Sequence, residues 1–280
     1  MNILLIGEFS GVHANLKKGL GDLGHNVKIA SDGDGFKGIQ GDYKIAPYKN
    51  TILGRLLNVL YFLLHFRQFI GYDVVQFISP FSLPCYYYYL GIYGFIMRNN
   101  KKRVYYACGD DPAFLAACDK FDYFPYDKKE SKERPTYAQW NLTVYEAFIR
   151  KVDIIVPAMY SYAIGYSGSP KLSRPIALPG PGNYKNACVK PGDRVRILFG
   201  ITRREFKGAD YIIPALERIN MSHPLDVHIE VVDRLPYSQY VNVLEDADVL
   251  VDQCKSYDYG MNAILGMERG VVVLSGLESE

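Results

Sequence analysis

Short apolar runs rich in β-branched residues alternate along the chain with longer stretches of helical periodicity. Before residue 180 the runs are Asn2–Gly7, Asn26–Ser31, Asp73–Ser79, Arg103–Gly109, Asp153–Ala158 and Pro175–Leu178. The helical stretches between them are Val12–Leu23, Ile52–Phe69, Leu83–Met97, Tyr137–Lys151 and Tyr160–Gly165. Apolar strands separated by amphipathic helices predict a parallel sheet covered on both faces. The handedness of its crossovers makes a doubly wound sheet the expected topology.

The alternation then breaks. Leu178-Pro-Gly-Pro-Gly-Asn-Tyr184 and Lys190-Pro-Gly-Asp193 are too dense in turn formers to lie inside a strand or helix. It restarts with strands expected at Val195–Gly200, Val227–Val232, Asp248–Asp252 and Val271–Ser275, and helices at Ala209–Asn220, Tyr237–Asp246 and Asn262–Arg269. The expected architecture is two Rossmann-like, doubly wound α/β domains, 1–180 and 193–280, joined near 179–192. The second has room for fewer β–α units than a complete domain of this kind, so it is expected to be partial, in a truncated or minimal chain. The architecture repeats without a repeat of sequence.

Composition narrows the function. An apolar fraction of 49% supports a packed core, and 32 basic against 30 acidic side chains exclude the broad positive footprint of a nucleic-acid binder. The five cysteines, at 85, 108, 118, 188 and 254, are scattered and never form C-x-x-C. That argues against a disulfide framework or a zinc site and for a cytoplasmic setting. The run Asn2-Ile-Leu-Leu-Ile-Gly7 is too short for a secretory signal core. Thr51–Ile70 is interrupted by Arg55, His65, Arg67 and Gln68, and Ser82–Met97 contains Pro84 and runs only about 16 residues against roughly 20 for a span. Both are expected to be buried or interfacial helices. Leu56, Leu57, Leu60, Leu63 and Leu64 share one face, with Arg55 and Arg67 at its flanks. Packing on the sheet is the favoured expectation for that face, and peripheral contact with the inner membrane face the alternative. The 24 tyrosines beside one tryptophan fit either a tyrosine-rich core or hydroxyl-lined clefts.

Three strand-to-helix turns carry candidate chemistry. In Gly7-Glu8-Phe9-Ser10-Gly11-Val12-His13, glycines permit close backbone approach and a helix N-terminus presents N–H groups. Phe9 occupies the second glycine position of G-x-G-x-x-G, which disfavours a dinucleotide despite Asp32 and Asp34 after the second strand. Gly7, Glu8, Ser10 and Gly11 then read as a substrate-lining loop or as a plain tight turn. In Gly200-Ile-Thr-Arg203-Arg204-Glu-Phe-Lys207-Gly208, a guanidinium and an ammonium at a strand's carboxyl end suit a diphosphate, the alternative being a solvated basic turn. In Asp252-Gln253-Cys-Lys-Ser-Tyr-Asp-Tyr259-Gly260-Met-Asn262, a glycine loop leads into a helix and offers a second anion site. Asp252 and Gln253 suit sugar or ribose hydroxyls, and simple capping accounts for Asn262 alone. Asp110 and Asp111 end the fourth strand. They either orient an acceptor and support positive charge on the sugar or, as Asp111-Pro112, start a helix. His13, on the first helix, is a candidate base or a cleft-lining or surface residue.

Taken in order, Arg203…Lys207-Gly208, Arg234-Leu-Pro-Tyr237, Ala247-Asp248 and Tyr259-Gly260…Met267…Gly270-Val-Val resemble the donor domain of GT-B glycosyltransferases, most closely family 4, over nearly all of 194–276. Gly7…Ser10-Gly11…His13…Leu20…Leu23-Gly24-His25-Asn-Val is similar to that family's acceptor domain. The resemblance implies two domains facing across a ligand cleft, a nucleotide-sugar donor, and a glycan or lipid-linked hydroxyl acceptor. It also implies retaining transfer that needs no metal or other cofactor. By the same resemblance Arg203 and Lys207 match the basic pair on the donor phosphates. Asp233, Arg234 and Leu235 fall where the nucleobase is read, and Tyr259, Gly260 and Asn262 fall where a loop meets phosphates and sugar. The chain departs from the pattern at Tyr257 and Leu265, which stand in place of the family's Glu-x7-Glu, and at Cys108, in place of its first-domain histidine. A non-catalytic nucleotide-sugar binder is therefore the rival expectation, and a dinucleotide-dependent oxidoreductase the third.

Overall fold

The computed structural model of the chain describes residues 1–182 and 194–276. Strands β1 (Asn2–Ile6), β2 (Asn26–Ala30), β3 (Val74–Phe77), β4 (Lys102–Ala107) and β5 (Ile154–Pro157) pair in parallel in the order β2-β1-β3-β4-β5. Strands β6 (Val195–Ile201), β7 (Val227–Asp233), β8 (Val249–Val251) and β9 (Val272–Leu274) form a second parallel sheet, β7-β6-β8-β9. β1 is apolar at every position from Ile3 to Ile6 because helices cover both faces, and all four side chains are buried. In each sheet the first strand lies inside, with one crossover leaving to each side. This reversal opens a crevice at the carboxyl ends of β1 and β3 in one unit and of β6 and β8 in the other.

The chain divides into two compact units. One comprises Met1–Ala117 and Lys132–Ala177, and the other Cys118–Ser131 with Leu178–Glu280. A single cut near 180 leaves Cys118–Ser131 with the first sheet, whereas its contacts are with the second. The rings of Phe121 and Tyr123 lie 5.2 and 4.6 Å from that of Tyr257, and Tyr126 lies 5.9 Å from Phe206. Most of the linker expected at 179–192 lies outside the described residues.

Three expectations about elements change. Pro175–Leu178 is not a strand, since only Ile176 bridges β5, through Met159 N to Ile176 O at 3.0 Å and Ile176 N to Pro157 O at 3.1 Å. The helix expected over Leu83–Met97 is two, Cys85–Tyr89 and Ile92–Arg98, broken at Gly91 with φ of 75°. The helix Ile52–His65 is capped by Thr51, whose hydroxyl accepts from Gly54 N at 3.1 Å, and it buries Gly54, Asn58 and Phe62. Its leucine face therefore does not pack on the sheet. No helix among the described residues is long and apolar enough to cross a membrane.

Part of the tyrosine content is core. In the first unit Tyr87, Tyr93, Tyr105 and Tyr166 are buried among Leu4, Phe77, Ile96 and Phe148. Each hydroxyl has an internal acceptor, such as Asn58 O for Tyr87 at 2.8 Å and Leu83 O for Tyr93 at 3.2 Å. Burial pushes all four hydroxyls up, so they remain donors.

Candidate functional site

The second unit gathers several of the expected donor residues into one hydrogen-bonded cluster at its crevice. β6 leads through Arg203 into a single helical turn, Arg204–Lys207, closed by Gly208 with φ of 73°. This turn brings Lys207 back over the end of β8, where its ammonium pairs with the fully buried carboxylate of Asp252. Asn262 Nδ2 donates to Asp252 Oδ1 at 3.0 Å, Ser275 Oγ to Oδ2 at 3.1 Å, and Gly260 N approaches Oδ2 at 3.4 Å. Tyr240 OH donates to Asn262 Oδ1 at 2.6 Å. Burial pushes the Asp252 carboxyl up, but the Lys207 charge and the hydrogen bonds from Lys207, Asn262 and Ser275 outweigh it and hold the carboxyl below its ordinary range. Asp252 is thus an ionised anchor beneath the loop, with its hydroxyl-binding capacity already engaged inside the protein.

The cluster ties the end of β6 to the N-terminus of the helix Met261–Glu268, which starts at Gly260. Gln253, also buried, donates to Asp258 O at 2.6 Å and so shapes the same loop, while Tyr259 stays half-buried on its rim. The Arg203 guanidinium lies over the Phe206 ring, 3.9 Å from its centroid, which fixes its plane. Asp233 ends the edge strand β7, and Arg234 and Leu235 follow it. Arg234 N donates to Ile201 O at 3.1 Å with Arg234 in the left-handed region at φ of 50°, and the Asp233 and Arg234 side chains are exposed and 3.8 Å apart.

In the first unit the loop after β1 is built by its own backbone. Gly7, at φ of 88°, has no room for a Cβ because Ser82 and Ile78 fill that space. Ser10 N donates to Asp34 Oδ2, and Lys37 Nζ binds both Asp34 Oδ2 and Ser10 Oγ, all at 2.7 Å. Gly11, at φ of 87°, opens the helix Val12–Asp22. Glu8 turns inward rather than toward a ligand, accepting from His13 N at 3.2 Å and Ala14 N at 2.9 Å at that helix start. Burial pushes its carboxyl up against those bonds.

Two candidate catalytic roles are corrected by burial. His13 is completely buried; its Nδ1 donates to Gly7 O at 2.7 Å and its Nε2 accepts from Gln76 Nε2 at 3.1 Å. Burial holds it neutral, down to about 4, so it braces the loop and is no base for an external hydroxyl. Asp111 is the helix start and not an acceptor ligand. Its Oδ1 caps Phe114 N at 2.9 Å, and Oδ2 accepts from Tyr166 OH at 2.7 Å and from Tyr105 OH. Asp110 is partly exposed and accepts from Arg134 Nε at 3.0 Å. Cys108, at the family's histidine position, is buried with Sγ 3.8 Å from Ile78 O.

The absent glutamates leave structural replacements. Leu265 is buried in the core of the second unit, and Tyr257 OH accepts from Asp122 N at 2.9 Å within the aromatic cluster. Tyr240, Ser275 and Phe206 complete the site without a motif to announce them. One signal was present: Gly200 sits at a strand end where a Cβ would lie 2.8 Å from the Tyr240 ring. Among the described residues, no three His, Cys, Asp or Glu side chains converge as a metal site would require, and none of Cys85, Cys108, Cys118 and Cys254 is in a disulfide.

No protein-family profile matches the chain, and no curated protein matches its sequence. Solved structures do match its fold. Sucrose-phosphate synthase from Thermosynechococcus elongatus superposes with a TM-score of 0.54 at 12% identity, over 98% of this chain and 80% of that one. The lipopolysaccharide outer core galactosyltransferase WaaB does so with a TM-score of 0.51 at 14% identity, over 100% and 82%. With two parallel-sheet α/β units and these structural counterparts, the chain has the GT-B fold.

Proposed function

We propose that the protein is a glycosyltransferase that moves a sugar from a nucleoside diphosphate sugar to a hydroxyl on a glycan or lipid-linked acceptor. The observation that carries this reading is that Asp252 ties Lys207 to the N-terminus of Met261–Glu268 at the β6/β8 crevice, with Arg203 on the turn that delivers Lys207. As the bond from the anomeric carbon to the diphosphate breaks, negative charge grows on the leaving oxygens. A guanidinium and a helix dipole favour that charge, and Lys207, whose charge is balanced by Asp252, has further N–H groups to donate. The GT-B fold supports the reading, because a sucrose-phosphate synthase and a galactosyltransferase are built on it. Retention of configuration, transfer without a metal or other cofactor, and a cytoplasmic setting come with the family resemblance and the cysteine usage, as parts of the same proposal. Calorimetric titration with a panel of nucleoside diphosphates, followed by nucleotide sugars with saccharide acceptors, tests it. Absence of nucleoside diphosphate binding overturns it.

A second reading has its own observation. With Leu265 in the core and Tyr257 in an aromatic cluster, the family's acidic pair has no counterpart in this chain. A non-catalytic nucleotide-sugar binder accounts for that, and tight binding without transfer or hydrolysis selects it. A dinucleotide oxidoreductase is disfavoured by Phe9 at the second glycine position of the fingerprint.

A further inference from the structure

The helix Ile52–His65 turns its richer apolar face away from the core. Its buried positions, Gly54, Asn58 and Phe62, recur every fourth residue along one narrow line. Opposite them Ile52, Leu53, Leu56, Leu60, Leu63 and Leu64 are 52–83% exposed. At about 100° per residue these six side chains share an arc of roughly 120°, a continuous aliphatic stripe. Single exposed leucines are ordinary on a protein surface, but a contiguous patch of this kind marks an interaction site.

The surroundings select the partner. From Tyr43 to Tyr72 the chain carries Lys44, Lys49, Arg55 and Arg67 and no acidic residue, and all four basic side chains are exposed. Tyr48, 46% exposed, is tied to the helix through Asn58, its N–H donating to Asn58 Oδ1 at 2.9 Å and its carbonyl accepting from Nδ2 at 3.1 Å. The adjoining helix Cys85–Tyr89 is held by Asn58 Nδ2 to Tyr86 OH at 3.1 Å and by Arg55 over the Tyr86 ring at 5.7 Å. It ends in exposed Tyr89 and Leu90. An aliphatic stripe and a local basic excess are complementary to an anionic bilayer surface. A protein partner fits less well. The stripe has no hydrogen-bonding side chain, whereas protein interfaces carry about one hydrogen bond per 100–200 Å² and seldom rely on leucine for their hot spots.

We propose that Ile52–His65 docks the protein peripherally on a membrane rich in anionic lipid. The leucines enter the acyl boundary, and Lys49, Arg55 and Arg67 meet the headgroup phosphates. This docking does not depend on the sugar-transfer reading. Flotation with vesicles of phosphatidylglycerol and phosphatidylcholine, against phosphatidylcholine alone, tests it. Recovery with the anionic vesicles is expected to be about tenfold higher than with the neutral ones and to fall as salt rises. The double variant Leu60→Asp/Leu63→Asp alters only exposed positions, so it should keep its circular dichroism spectrum while losing about tenfold or more in vesicle binding. Lys49→Glu/Arg55→Glu should weaken binding to anionic vesicles with the stripe intact. No flotation, equal recovery from both vesicle types, or unchanged binding by the leucine variant overturns the proposal. A dimer in sedimentation that the leucine variant abolishes, without vesicle binding, overturns it too and assigns the stripe to a second copy of this chain.

Discussion

Arg203 and Lys207 look equivalent in the sequence, but they differ in surroundings. Lys207 neutralises a buried carboxylate, so Lys207→Ala leaves Asp252 uncompensated and should cost about 3–5 kcal/mol in urea unfolding. Its effect on ligand affinity will therefore include a stability defect. Arg203→Ala is the cleaner probe: loss of charge-assisted bonds worth about 1.5–3 kcal/mol should weaken nucleoside diphosphate binding roughly tenfold to a hundredfold and spare nucleosides. Arg203→Lys should not restore it, since an ammonium lacks the planar fork. Arg204, exposed and 3.3 Å from Asp210, is the control, and an equal loss in Arg204→Ala would mean general electrostatics instead of a clamp. Buried titratable side chains also give the fold a pH signature. Asp252, held low, contributes stability that is present above the unfolded carboxyl value near 4 and is lost as pH falls through its lower folded value. His13, held down at about 4, stays neutral in the fold while the unfolded chain protonates near 6.5. Stability should then drop by about 2 kcal/mol between pH 7 and 5 in urea titrations, and His13→Gln should flatten that slope. Glu8 and Asp111, both pushed up by burial, act with the opposite sign, so the comparison with His13→Gln isolates the histidine.

Helices that read alike in the sequence respond differently to the same substitution. Glycine inside a helix is ordinarily worse than alanine by about 1 kcal/mol. Gly19, in Val12–Asp22, has nothing within 4 Å of a would-be Cβ, so Gly19→Ala should stabilise the protein by up to about 1 kcal/mol. Gly54, in Ile52–His65, has the Lys49 carbonyl where a Cβ would go, so Gly54→Ala should destabilise by about 1–3 kcal/mol. Thermal melts of the two variants should shift in opposite directions, and a common sign would mean that the Lys49 turn gives way freely. The capping pattern at Asp111-Pro112 is an element feature too: the carboxylate is used up by the helix it starts and by two tyrosines.

At the scale of the molecule, the proposed donor site lies within one of two units, at the reversal point of its sheet. Hydrogen exchange should show this directly. A bound nucleoside diphosphate should slow exchange in residues 200–210 and 252–264, where N–H groups frame the crevice. Protection confined to the strand ends of the first sheet would move the ligand site out of the second unit. The excursion Cys118–Ser131 belongs to the same unit as the site and buttresses it through Tyr126 against Phe206, beneath Arg203. Truncation of the Tyr126 ring should therefore lower nucleotide affinity without touching a nucleotide.

Local pattern alone determined the alternation of strands and helices, the break after Leu178, and the three strand-to-helix turns. Period and turn chemistry are properties of neighbouring residues, and parallel strands with both faces covered must be apolar throughout. It also carried the ordered motifs that resemble a GT-B donor domain, because glycine and basic positions in a loop are set by the backbone approach they allow. Tertiary structure alone decided what long-range packing controls. It drew Lys207 down onto Asp252, sealed His13 and Asp111 inside the first unit, and assigned Cys118–Ser131 to the other sheet. It also reversed the favoured orientation of the leucine helix. A helical repeat fixes which residues share a face, but whether that face meets a core or the outside depends on what stands opposite. Here the inner side holds Gly54, whose missing Cβ lets the Lys49 carbonyl approach, and Asn58, which bonds to Tyr48 and Tyr86.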